Sequence, residues 1–250
     1  MCRAHHTRAP RVRGGRGRLR GARSPLTMTA MTSKRTAAGR DDGDGREQDT
    51  VAPIRPALIV GFGNPGSEYS STRHNVGVWC VRVLGRRYGA TFERQGRIET
   101  ATITVEGRTI HLARPRSYVN ESGPPIAAEL RRLSLDRAQL LVVYDDIDLP
   151  VGQLRIRAQG GHGGYNGMKS LLGAVGGGEF SRVRIGIDRP YDDGKPVRDP
   201  ERVAGWVLAP PSNREREAIE QTLEVASDAI VLAITSGIEL AMTRFNPAGG

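Results

Sequence analysis

The chain has 250 residues, 37 Lys and Arg against 27 Asp and Glu, 32 Gly and only two Cys. That length can bury a full core as one domain or as one domain plus a tail, while no apolar run approaches a membrane span or a signal-peptide core. Two cysteines exclude a disulfide framework and fit a reducing cytoplasm, so a cytoplasmic protein is expected. Of the net charge of +10, residues 1–53 carry +7 and the remainder only +3, so overall basicity does not mark the folded part as RNA-binding.

Residues 1–53 are mainly Arg, Gly, Ala, Ser and Thr. Such a segment cannot offset its ordering entropy and reads as a disordered N-terminal extension ahead of a domain over 54–250. An acid-free part, Met1 to Arg40, precedes an acidic patch, Asp41 to Asp49. Three explanations compete: an upstream start chosen in place of Met28 or Met31, an RNA-touching tail, or an Arg- and Ser-rich transit peptide. The lack of any periodicity favours the first.

Ala57 to Val60 is an apolar, β-branched run that predicts a buried strand. Gly61, Gly63, Pro65 and Gly66 force a tight turn, and the helical spacing of Val76, Trp79, Cys80, Val83 and Leu84 predicts a helix from near His74. The loop between them brings Asn64, Tyr69, Arg73, His74 and Asn75 to a strand's carboxyl end, where open α/β sheets bind ligands. Gly61-Phe-Gly-Asn-Pro-Gly66 also fits G-x-G-x-x-G. A dinucleotide site would need the helix to start inside the glycines and an acid about 20 residues on, and neither is present.

Ile98 to Val105 and Arg108 to Ala113 predict a hairpin around Glu106-Gly107. A helix from Pro124 to Leu133, a buried strand from Leu140 to Tyr144 and a short strand from Leu154 to Ala158 follow. After the glycine loop Gly160 to Gly167 come a helix over Met168 to Val175 and a strand over Arg182 to Ile187. Asp188 to Pro200 reads as an exposed, lid-like loop. Ser212 and Glu215 form a capping box for a long helix with Ile219, Leu223, Ala226, Ile230 and Ala233 on one face and Gly237 as its stop. The alternation predicts a three-layer α/β/α domain with a mixed, largely parallel central sheet.

The predicted strand ends collect Asn64, Tyr69, His74, Tyr118, Asn120, Asp145, Asp148 and Asn166 on one rim. No Cys/His spacing suits a metal, and no G-x-S-x-G elbow supplies a serine nucleophile. His74 is either a hydrogen-bonded loop histidine or a base for water, steadied by an aspartate from a neighbouring strand. The positive end of the helix would favour its neutral form. Each asparagine fits turn chemistry alone, whereas three converging amides would suit a carbonyl and ribose hydroxyls. Arg155, Arg157, Arg182 and Arg184, with Lys169, make either a solvated strand face or a phosphate clamp.

The string Gly61-Phe-Gly-Asn-Pro-Gly-x-x-Tyr69-x-x-Thr-Arg-His74-Asn-x-Gly77 resembles the opening motif of bacterial-type peptidyl-tRNA hydrolases, with Phe62 where Leu is commoner. Pro115-Arg-Ser-Tyr-Val-Asn-Glu-Ser-Gly, Tyr144-Asp-Asp-Ile-Asp-Leu-Pro and Gly160-Gly-His-Gly-Gly-Tyr-Asn-Gly are similar to its later motifs, in order. The resemblance runs from about Leu58 to Asn246 and implies an esterase that releases peptides from peptidyl-tRNA and recycles the tRNA, without a cofactor and as a monomer. It implies His74 as base, Asp145 as its partner and Asn64 as the position separating blocked from free aminoacyl groups. Tyr69, Tyr118, Asn120 and Asn166 would contact the tRNA end and the peptide. Arg157 and Arg184 would meet an acceptor-stem phosphate, with Arg155 and Lys169 as further basic candidates. Tyr144 and Tyr165 stand where the family often has His. The rival expectations are a non-catalytic RNA-binding member of the fold, resembling plastid splicing factors, and nucleoside phosphorolysis on a related architecture.

Overall fold

The computed structural model describes residues 53 and 55–246. The extension read over 1–53 lies, but for Pro53, outside the described residues. The chain forms β1 (Leu58–Gly61), α1 (Val76–Arg87), β2 (Glu93–Gln95), β3 (Ile98–Val105) and β4 (Arg108–Pro115), followed by α2 (Gly123–Arg132) and β5 (Leu140–Asp146). Then come β6 (Leu154–Arg157), α3 (Asn166–Val175), β7 (Ser181–Gly186), β8 (Tyr191–Asp192) and β9 (Lys195–Pro196), and finally α4 (Pro200–Val207), α5 (Asn213–Ser236) and α6 (Ile238–Phe245).

Seven strands make one sheet in the order β2-β3-β4-β1-β5-β7-β6. β4, β1, β5 and β7 run parallel through its centre, and β2, β3 and β6 join antiparallel at the margins. The three-layer expectation holds, because the pleat sends alternate residues of each central strand to opposite faces. Ile59, Leu141 and Val143 meet α1, α5 and α6 on one face. Leu58, Val60, Leu140, Val142 and Tyr144 meet α2 and α3 on the other. Each fully buried Leu or Ile contributes about 1.5–3 kcal/mol.

Two glycines set the closest approach of α1 to the sheet. A Cβ on Gly61 would lie 2.3 Å from the Gly77 carbonyl oxygen, and one on Gly77 would lie 2.3 Å from that of Val143. The β3–β4 hairpin turns on Glu106 and Gly107, both with positive φ, as a two-residue turn between twisted strands requires. At the far margin Asn246 completes β6: its amide oxygen accepts from the Ile156 N–H at 2.7 Å, and its amide nitrogen donates to the Ile156 carbonyl at 3.1 Å.

The structure departs from the sequence reading in five elements, β2, β8, β9, α4 and α6. β2 is three exposed polar residues, held only by pairing with β3. Asp188 to Pro200 carries the small β8–β9 hairpin, and α4 begins at Pro200, with the Asp199 carboxylate accepting from the Arg202 N–H at 2.9 Å. α6 follows the long helix across Gly237.

Candidate active site

Beyond β1 the chain passes through Gly63 and Asn64 and makes two 3-10 turns, Ser67–Tyr69 and Arg73–Asn75. Asn75 is buried and clamps Asn64 as a strand neighbour would. Its side-chain oxygen accepts from the Asn64 N–H at 2.9 Å, and its nitrogen donates to the Asn64 carbonyl at 3.0 Å. The Asn64 side-chain oxygen in turn accepts from the Val119 N–H at 2.9 Å. Because that partner can only donate, the amide's orientation is fixed and its NH2 group is left for a guest.

Arg73 secures the same turn from behind. Its guanidinium donates to both carboxylate oxygens of Glu215, at 2.9 and 3.2 Å, and lies 3.7 Å over the Trp206 ring. Further bonds run to the Trp206 and Ala209 carbonyls. The turn carrying His74 and the end of α4 are therefore held as one piece.

His74 Nδ1 lies 3.0 Å from each oxygen of Asp145, which sits near the end of β5 and is 3% exposed. A carboxylate only accepts, so Nδ1 carries the proton and Nε2 keeps its lone pair. The Tyr165 hydroxyl donates to the same carboxylate at 2.6 Å. Burial pulls the His74 pKa down, but the Asp145 charge and hydrogen bond outweigh it, and the net is a rise above the ordinary value. This corrects the expectation that a helix end favours the neutral ring: α1 starts two residues later, at Val76, and a carboxylate in contact outweighs a helix end. Any reaction using Nε2 as base is expected to lose rate as pH falls through a midpoint above about 6.5. A rate–pH profile checks this.

His74 and Asp145 open onto a cavity of about 920 Å³. Of the residues singled out in the sequence, Asn64, Tyr118, Asn120, Asp148, Asn166, Arg157, Arg182 and Arg184 also line it. Tyr69 does not, but packs edge-on against Tyr118 with ring centres 6.1 Å apart. Strand register sets Arg155 opposite Arg184 and Arg157 opposite Arg182, four guanidiniums on one sheet face. They are not equivalent. Arg182 is buried and donates to the Gly160 and Gly161 carbonyls at 2.8 and 2.6 Å, and Arg184 pairs with Asp146. Among the described residues Arg157 has no acidic partner, and Arg155 lies outside the cavity wall. Lys169 stands one turn into α3, outside the cavity, with Nζ 3.4 Å from the Asn166 side-chain oxygen.

Sequence reasoning missed three parts of the site. Tyr165 was noted only as a departure from a motif, and nothing along the chain signals its contact with Asp145. Asn75 was placed in the loop without its clamp. The apolar side of the cavity comes from Val203, Ala204 and Val207 of α4 and from Leu208 just beyond it, and Asp199-Pro200 is a legible start signal for that helix.

Fold and site together define an α/β protein with a hydrogen-bonded imidazole–carboxylate pair at the rim of its sheet. A family model described as "Peptidyl-tRNA hydrolase" matches residues 58–249, and the chain belongs to that family. The peptidyl-tRNA hydrolase of Nocardia farcinica is 41% identical over 194 residues, 76% of this chain and 96% of the relative. That of Mycobacterium tuberculosis is 42% identical over 191 residues, again 76% and 96%. The crystal structure of peptidyl-tRNA hydrolase from Acinetobacter baumannii superposes with a TM-score of 0.72 at 31% identity, covering 78% of this chain and 97% of that one. Among the described residues no helix is long and apolar enough to cross a membrane.

Proposed function

We propose that this chain hydrolyses the ester between a peptide and the 3′ ribose of its tRNA, with His74 as general base. The observation that supports it most is an imidazole on the cavity wall held through Nδ1 by a buried carboxylate, in a chain of the peptidyl-tRNA hydrolase family. Nε2 takes a proton from water as its oxygen attacks the ester carbonyl. Asp145 steadies the imidazolium. Collapse of the tetrahedral intermediate breaks the bond to the ribose oxygen, which receives the proton from His74, and the peptide is released as a carboxylic acid that ionises to solvent. The chemistry requires no cofactor.

Asn64 and Asn120 hold the peptide and the reacting carbonyl, and Asn166 with Tyr118 and Tyr69 forms the rim for the tRNA end. The fixed polarity of Asn64 supports a role in selection. Its NH2 donates to the carbonyl of a blocked amine and opposes the ammonium of a free aminoacyl group. N-acetylaminoacyl-tRNA and free aminoacyl-tRNA decide the matter: rapid release from the first and little from the second is expected. Release from neither reduces the protein to an RNA holder.

Arg157 is the guanidinium best free to take a phosphate of the acceptor stem, while Arg184 shares its charge with Asp146. Arg157→Ala is expected to raise KM about tenfold with kcat nearly unchanged, and to reduce the salt dependence of binding by about one phosphate contact. Steady-state kinetics at two salt concentrations checks both. The reading includes action as a cytoplasmic monomer. The buried Cys80, its thiol pKa pushed up to about 12 by burial, suits a compartment in which no disulfide is needed.

A further inference from the structure

Asp145 is held from two sides, and only one of them is the base. His74 Nδ1 lies 3.0 Å from both carboxylate oxygens, while the Tyr165 hydroxyl donates to Oδ1 at 2.6 Å. Among the described residues no other side chain bonds this buried carboxylate.

Tyr165 reaches it through several fixed points. Its N–H donates to the His162 carbonyl at 2.9 Å, and its own carbonyl accepts from the Lys169 N–H at 3.0 Å, at the start of α3. The ring lies nearly parallel to Phe62, 7° between planes with centres 6.0 Å apart, and 4.8 Å from the Tyr144 ring. Gly167 leaves the space: a Cβ there would stand 2.9 Å from the Tyr165 ring and 2.5 Å from Val119. The hydroxyl is thus a directed donor on a locked ring.

We propose that Tyr165 is a positioning residue that sets the basicity of His74: its hydroxyl fixes the plane of the Asp145 carboxylate and takes up part of its negative charge. This rests on the hydrolytic reading above and deepens it. Two donors on one carboxylate compete for the same charge, so strengthening one weakens the hold on the other. Without Tyr165 the full charge of Asp145 falls on the imidazole, which then keeps its proton to higher pH and serves as base over a narrower range. Burial first, and then the Asp145 charge, push the Tyr165 hydroxyl well above the ordinary tyrosine range, so this donor stays protonated wherever the enzyme works. A histidine here would itself titrate near neutrality.

The cavity wall also carries Glu121, Asp148, Arg157 and the glycine-loop His162. Asp146 follows Asp145 on β5 and pairs with Arg184, Tyr144 packs beside Tyr165, and Arg182 is committed to backbone carbonyls. The side of the cavity supplied by α4 is apolar. None of these bonds Asp145.

The test follows the His74 imidazole by NMR titration in the full chain, together with the pH profile of kcat/KM on N-acetylaminoacyl-tRNA. Tyr165→Phe is expected to raise the His74 midpoint by roughly 0.5–1 pH unit and lower the neutral rate roughly three- to tenfold, with recovery at higher pH. Tyr165→3-fluorotyrosine keeps the ring and makes the hydroxyl a stronger donor. It is expected to move the midpoint down. Tyr165→His is expected to add a second titration to the acid limb. An unmoved midpoint in the fluorotyrosine protein overturns the proposal whatever the phenylalanine variant does, and so does a Tyr165→Phe loss that is equal at every pH. The titration is read without substrate, so a wild-type chain that fails to release peptide sinks the hydrolytic reading and leaves this result standing apart.

Discussion

His74→Ala is expected to lower kcat on N-acetylaminoacyl-tRNA by at least ~10²–10⁴-fold, the range that a general base supplies. Among the described residues the substitution removes the only imidazole that bonds Asp145, and no other described histidine stands in its place. His162 lies in the glycine loop with its Nδ1 accepting the Gly164 N–H at 3.0 Å, and His111 is on β4. Asn64, Asn120 and the arginine face are untouched, so KM is expected to stay within a few-fold of wild type. Asp145 keeps its bond from Tyr165, so circular dichroism and the thermal midpoint are expected to change little. Single-turnover hydrolysis beside a binding measurement separates the two effects. A variant that turns over at the wild-type rate excludes His74 as the base.

Gly77→Ala is expected to cost stability rather than a chemical group, by about 3 kcal/mol or more. The added methyl would meet main chain on two sides, the Val143 oxygen at 2.3 Å and the Phe62 oxygen at 2.6 Å, and main chain cannot rotate away as a side chain can. The helix would have to lift off the sheet. Val143 lies two residues before Asp145, and His74 three residues before Gly77, so the same lift parts the base from its carboxylate. Chemical denaturation measures the first loss. Activity of the remaining folded protein measures the second, and a variant as stable as wild type would mean that α1 has room to move.

Much of this architecture is legible along the chain, for local reasons. Leu140 to Tyr144 reads as a central strand because it is a continuous apolar run, the mark of a strand buried on both faces, and the structure buries it and extends it to Asp146. The Ser212–Glu215 box reads as a helix start because both reciprocal bonds are built from neighbours in sequence. β2 is not legible: Glu93, Arg94 and Gln95 are strand only because β3 lies beside them. The rise in the His74 pKa is not legible for the same kind of reason. A helix end can be inferred from spacing, but a carboxylate 71 residues away and 3.0 Å distant cannot be weighed until the strands are placed. Periodicity puts two arginines on one face of each strand, and the pairing of β6 with β7 brings all four to the same face. Periodicity did not show that Arg184 is paired, that Arg182 is spent on carbonyls, or that Arg155 falls short of the cavity.

Asn246 has one more consequence. By answering both main-chain groups of Ile156 it occupies hydrogen-bonding positions that a strand from another molecule would seek on β6, while the opposite margin is the short, charged β2. Neither border is an inviting template for cross-β growth. A seven-stranded sheet thereby gains protection against self-templating, at the cost of a single carboxamide.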